Sequence, residues 1–230
     1  MDLKLILKSR FHLFLLVGIG VLYVWFLSLD VFALPRSLPS RYLKYASVVF
    51  CFLLAGSFHF SSANKKDSKY VVIALFFTLI ADVFLLFTTQ RLTGVLVFCF
   101  VQLVYLKRYD NRFFLTGLGL VSVSNLVYIF SGFSALHVAA GLYAVLIVLC
   151  FSATFFGVAA RAFSAFRLRC VRSAMVLFIL CDVHVALYNY IGSTSPYYRV
   201  VTVAMWLFYL PSQLLLALSA WHPKKKTVTV

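Results

Sequence analysis

The sequence predicts an all-α fold, a polytopic membrane bundle of eight transmembrane helices forming one domain over residues 1–230. Three observations lead there. Hydrophobic residues make up 63% of the chain and charged ones 12%, with a mean hydropathy of +1.00; soluble domains average about 45–50% and about 25%. Apolar segments recur along the whole chain, most near the ~20 residues that a bilayer crossing requires. Basic residues gather in alternate connections, as the cytoplasmic bias of Lys and Arg demands.

The segments run roughly 11–29, 43–60, 70–88, 92–106, 113–130, 135–157, 171–190 and 197–221. The fourth is the shortest. The first follows Lys4, Lys8 and Arg10, and Val31-Phe32-Ala33 would suit a signal peptidase. Its apolar run of about 19 residues exceeds the roughly 7–15 of a signal-peptide core, so it reads as an uncleaved helix.

Charge supports the count of eight. The N-terminus carries Lys4, Lys8 and Arg10, and the tail carries Lys224, Lys225 and Lys226. Between them come Lys65, Lys66 and Lys69; then Lys107, Arg108 and Arg112; then Arg161, Arg167, Arg169 and Arg172. That places sixteen of the 21 basic residues on one side, against Arg36, Arg41, Lys44, Arg91 and Arg199 on the other. Both termini are therefore expected in the cytoplasm, with plasma membrane and endoplasmic reticulum equally open. The net charge of +15 follows from this topology, so the expected partner is the bilayer and its lipids rather than nucleic acid.

The five cysteines are scattered with no C-x-x-C pair, so neither a disulfide framework nor a zinc site is expected. No metal-ligand spacing and no nucleophile or phosphate-loop motif occurs, and no metal or cofactor is expected.

All six acids are aspartates. Only Asp82 and Asp182 lie inside apolar runs, where an acid at mid-membrane costs roughly 2.5–3.5 kcal/mol on insertion scales. In the segments above, Asp82 is thirteenth and Asp182 twelfth. At 1.5 Å per residue they should lie at about the same depth, past the midplane toward the outer side. Carboxyls at one depth in lipid should face the bundle interior, where mutual repulsion favours a state in which one keeps its proton and the other does not. That is an acid/base pair. The competing reading is that each acid only hydrogen-bonds a neighbouring helix.

Further polar residues could line the same cavity. Asn189 lies seven residues after Asp182 and Thr78 four before Asp82. Gln102 and Tyr105 are three apart, as are Ser122 and Asn125. Trp206, Tyr209 and Gln213 form a stripe beside Pro211, which should bend the last helix. His184, about 200° around the helix from Asp182, should point elsewhere.

These segments resemble the lysoplasmalogenases, the YhhN-like membrane proteins. The last helix, from Tyr198 to Ser219, is similar to the family's closing helix, with Tyr209, Gln213 and Ser219 at recurring polar positions. Ala81-Asp82-Val83-Phe84-Leu85 and Cys181-Asp182, followed by Ala186-Leu187, resemble its two small-Asp motifs. Gly141-Leu142-Tyr143 resembles its sixth-helix tyrosine segment. The likeness runs from the third helix to the end, the first two helices being only generically similar. Two positions depart from it: Gln102 stands where the family usually has His, and Tyr188 where it has Asn, with Asn189 one residue later. The resemblance implies hydrolysis of the vinyl ether of a lysoplasmalogen to a fatty aldehyde and a glycerophospho-base. Asp82 and Asp182 would be catalytic, and Gln102, Tyr105, Tyr143, Asn189, Tyr209 and Gln213 would bind a lysophospholipid substrate. A proton-coupled transporter or channel using the same carboxyls, and a non-catalytic lipid-binding protein, are the alternatives.

Overall fold

The computed structural model describes residues 6–7, 9–32, 39–158, 162–191 and 194–222. Lys4, Lys8, Arg36, Arg161 and the lysines of the tail lie outside them, as does Ala33 of the cleavage pattern.

Eight helices carry the described chain: α1 (Arg10–Phe32), α2 (Ser40–Ser61), α3 (Lys65–Phe87), α4 (Arg91–Tyr109), α5 (Asn111–Ser131), α6 (Ala135–Phe156), α7 (Ala165–Ile191) and α8 (Tyr198–Leu218). Each is long and apolar enough to cross a bilayer, the make-up of a multi-pass membrane protein.

The observed ends differ from the apolar runs in an instructive way. Helix α3 starts five residues before its apolar run, because Asn64 accepts the Asp67 N–H and caps the charged first turn. Helix α7 starts six residues early and α4 runs three residues further, both through arginine-bearing turns that are good helix formers. Helix α8 stops at Leu218, and the chain turns over residues 219–220.

Consecutive helices α1 to α4 pack side by side. Helix α6 then packs on α4, α7 on α6, and α8 on α7. Helix α8 also touches α1, α2 and α3. The interior is therefore enclosed by α2, α3, α4, α6, α7 and α8. Helix α5 sits outside this ring against α4 and α6, and buries only Gly117. A side chain at Gly117 would meet Leu103 and Leu106 of α4 and Leu146 of α6, so the missing Cβ lets α5 approach both helices.

Pro211 lies inside α8 and has no N–H for the carbonyl of Leu207. That carbonyl instead accepts the Tyr23 hydroxyl of α1 at 2.8 Å. In lipid every backbone group needs such a partner. The exchange ties α1 to α8 two residues before Tyr209.

The α2–α3, α4–α5 and α6–α7 connections share one end of the bundle, termed the basic face. There Arg108 of α4 donates from Nε and Nη2 to the two carboxylate oxygens of Asp67 on α3, at 3.1 and 3.0 Å. Its remaining bonds go to the Ser219 hydroxyl and carbonyl, just past α8, at 2.8 and 3.0 Å. Arg167 of α7 donates to Asp67 at 2.5 Å and to the Ser219 carbonyl at 2.9 Å. Phe163 stacks against both guanidinium groups. Four helices are thereby tied at one level. Burial, more than any other influence, holds the neighbouring His222 below the ordinary histidine range. At the same face Asp110 caps α5. Its carboxylate accepts the Val158 and Arg112 N–H groups at 2.9 and 2.7 Å. Those bonds, the one from Val158 first, keep it below the usual carboxylate range.

Candidate active site

The basic-face contacts set the depth of the two membrane aspartates. Helices α3 and α7 both start at that face, and Asp67 bonds Arg167. Asp82 lies fifteen residues after Asp67, and Asp182 fifteen after Arg167. Equal rise from a shared contact puts the two carboxyls at nearly the same level, about 22 Å from the basic face.

Asp82 is 4% exposed, and both of its carboxylate oxygens accept the Tyr209 hydroxyl of α8, at 2.8 and 2.9 Å. Asp182 is half-buried and accepts the Tyr143 hydroxyl of α6 at 2.8 Å. Each acid thus has its own tyrosine on another helix, and the carboxyls do not bond to one another. They belong to one neighbourhood: Cys181 lies within electrostatic reach of both, and Tyr209 within reach of Tyr143. Neither acid forms an ion pair among the described residues.

Aromatic rings wall the space between them. Phe178 meets Tyr209 edge-on with ring centres 5.9 Å apart, and Phe98 meets Phe178 at 6.2 Å and Tyr143 at 6.0 Å. Trp206 stands edge-on to Tyr209 at 5.1 Å. Above Trp206 sits the Lys44 ammonium, 5.0 Å from the ring and paired with Asp30 at 2.7 Å.

Gln102 is fully buried on α4 beside the Tyr143 hydroxyl, but neither amide atom completes a hydrogen bond of normal geometry. Gln213 lies one turn from Tyr209 on α8, fully buried, donating to Ser212 at 3.3 Å and leaving its carbonyl oxygen without a partner among the described residues. Tyr105 lies further toward the basic face, stacked on Tyr109, and neither hydroxyl has a partner among the described residues.

Asn189 is not in this interior. It is exposed two turns beyond Asp182, at the end opposite the basic face, where its side-chain oxygen meets Arg91 at 3.4 Å. Ser122 and Asn125 also stay outside, bonded to carbonyls of their own helix on peripheral α5. Thr78 is buried but bonds the Ala74 carbonyl. His184 turns to the Leu180 carbonyl and the Phe208 ring.

The pattern of residue types gave no role to several neighbours of the acids: Cys181, within electrostatic reach of both, the Phe98–Phe178 wall, and Tyr45, which lies within electrostatic reach of Asp82. The one available signal was the adjacency of Cys181 to Asp182. A groove of about 630 Å³ between α5 and α6 is not at the carboxyls. It is lined mainly by apolar residues such as Val123, Val127 and Val145, and the polar chemistry lies with the aspartates.

The sequence matches the YhhN family over residues 40–220, from the start of α2 to just past α8, one helix more than the motifs alone had suggested. No curated protein and no solved structure matches the chain. With a match that spans α2 to α8 and so includes both aspartate helices, the chain belongs to the YhhN family, the family of the lysoplasmalogenases.

Proposed function

We propose that the protein hydrolyses the vinyl ether bond of a lysoplasmalogen, with Asp82 and Asp182 as its acid and base. The observation that carries this reading is the pair of carboxyls at one level in the bundle interior, each held by a tyrosine from a different helix and neither neutralised by a cation among the described residues.

Asp82 is the more deeply buried, and a carboxyl enclosed without a cation costs least as the neutral acid. It is therefore assigned the proton donor. Its proton goes to the β-carbon of the O–CH=CH unit, and the π pair forms the new C–H bond. The α-carbon becomes an oxocarbenium ion, which the Asp182 carboxylate stabilises. Water then bonds to that carbon and gives a proton to Asp182, the division of roles seen with paired carboxyls in glycosidases. The hemiacetal collapses as Asp182 protonates the leaving oxygen and the hemiacetal hydroxyl returns its proton to Asp82. The products are a fatty aldehyde and the glycerophospho-base, and both carboxyls regain their starting states.

The apolar chain reaches the site from the bilayer. The head group fits the end opposite the basic face, where Arg91 and Asn189 lie about 10 Å along the axis from Asp182. The arginines of the basic face, about 22 Å from the acids, are too distant for that task. Under the charge rule the basic face is cytoplasmic. The test is aldehyde release from lysoplasmenylethanolamine by the purified protein, with its ester-linked counterpart as control. Release from the vinyl ether lipid alone supports the reading, and absence of release overturns it.

A further inference from the structure

The interior holds more polar chemistry than the acid pair needs. Among the described residues, four side chains of α4 and α8 bury polar atoms that complete no hydrogen bond of normal geometry: both amide atoms of Gln102, the carbonyl oxygen of Gln213, and the hydroxyls of Tyr105 and Tyr109. All four residues are 0–1% exposed. An unpaired buried polar atom is costly, and native proteins meet that cost with internal water where the site is polar.

Their placement forms a line. Gln102, Tyr105 and Tyr109 repeat at i, i+3 and i+7, along one face of α4. Arg108 bonds Ser219, and Gln102 and Gln213 each lie six residues before that contact on helices running the same way. The two amides therefore occupy one level, about 9 Å from the basic face. Gln102 reaches up to Tyr143, the partner of Asp182. Tyr105 lies within electrostatic reach of Cys51 on α2 and Cys150 on α6, hence at the centre of the bundle. Tyr109 leads on to Arg108 and Asp67.

We propose that these atoms hold a file of water molecules running from the acid site to the basic face. Gln102 and Gln213 form its upper gate, the two tyrosines its middle, and the Arg108–Asp67–Arg167 cluster its end. The ligand is water, and the file's task is to deliver water and exchange protons where lipid excludes both. That task rests on the hydrolytic reading; the presence of the file does not.

The experiment is hydroxyl-radical footprinting by X-ray radiolysis of the full-length protein in lipid nanodiscs, read by mass spectrometry. Radicals generated from bound water oxidise adjacent side chains. Tyr105 and Tyr109 should be oxidised several-fold faster than Phe26, an equally buried aromatic on α1. The double variant Gln102→Leu/Gln213→Leu should bring both tyrosines down to the Phe26 rate. Tyrosine labelling no faster than Phe26 in the unaltered protein overturns the file, and this arm needs no variant to fold. Fast labelling that the double variant leaves unchanged overturns the part given to the glutamines. A dry core in a protein that releases aldehyde would sink the file alone; labelled tyrosines in a protein that releases none would sink the hydrolytic reading alone.

Discussion

Arg167 donates to Asp67 across the start of α7 and α3, and each of these residues precedes one of the membrane aspartates by fifteen positions. The ion pair acts as a register pin, because sliding either helix by a turn would shift one carboxyl by about 5 Å relative to the other. Replacing Asp67 with Asn leaves two buried guanidinium groups without their counter-charge. Breaking a buried pair in this way costs about 3–5 kcal/mol. Thermal unfolding in detergent should show a large fall in Tm for Asp67→Asn, and an unchanged Tm would show that this ion pair does not hold the helices in register.

The Tyr23 bond to the Leu207 carbonyl answers the gap left by Pro211. Tyr23→Phe should cost about 1 kcal/mol. In a Pro211→Ala background the new N–H can serve Leu207 from within α8, so most of that cost should vanish. A double-mutant cycle with zero coupling would show that the two residues act independently.

The eight crossings were legible from hydropathy, because lipid leaves the backbone little choice but helix. The common depth of Asp82 and Asp182 was legible from counting. What those means could not supply was the partner of each arginine. Arg108 and Arg167 entered the reading as loop charges, yet both are buried. Their role depends on α3, α4, α7 and α8 being neighbours, which no local pattern records. Asn189 shows the converse. Its spacing from Asp182 places it on the same helical face, but two turns carry it past the end of the interior. The tyrosine assigned to each acid was likewise invisible until the packing order was known.

Tyr209 and Tyr143 orient the carboxyls. In the proposed reaction Asp182 is a carboxylate from the start and Asp82 becomes one as it gives up its proton; a hydrogen bond to such a charged group is worth about 1.5–3 kcal/mol, which corresponds to roughly 10–100-fold in rate. Tyr209→Phe and Tyr143→Phe should each lower kcat by about that factor with KM little changed. A rise in KM alone would recast the tyrosines as substrate contacts.

His222 lies beside Arg108, Arg167 and Asp67, and burial lowers its proton affinity in the folded chain. The unfolded histidine titrates near about 6.5. Below that pH the unfolded state binds the extra proton first, so stability is full above it and declines as pH falls. The Tm of the unaltered protein should drop more between about pH 7.5 and pH 5.5 than that of His222→Gln, spanning that value. Parallel Tm curves would contradict this.

In the proposed mechanism both membrane acids act in one reaction. The most direct measurement is aldehyde release from lysoplasmenylethanolamine by purified Asp82→Asn and Asp182→Asn proteins, each checked for folding against the unaltered chain. The predicted result is that each substitution alone lowers release by at least about 10²-fold, the scale of a lost general acid or base. Near-full release from either folded variant would contradict the paired mechanism.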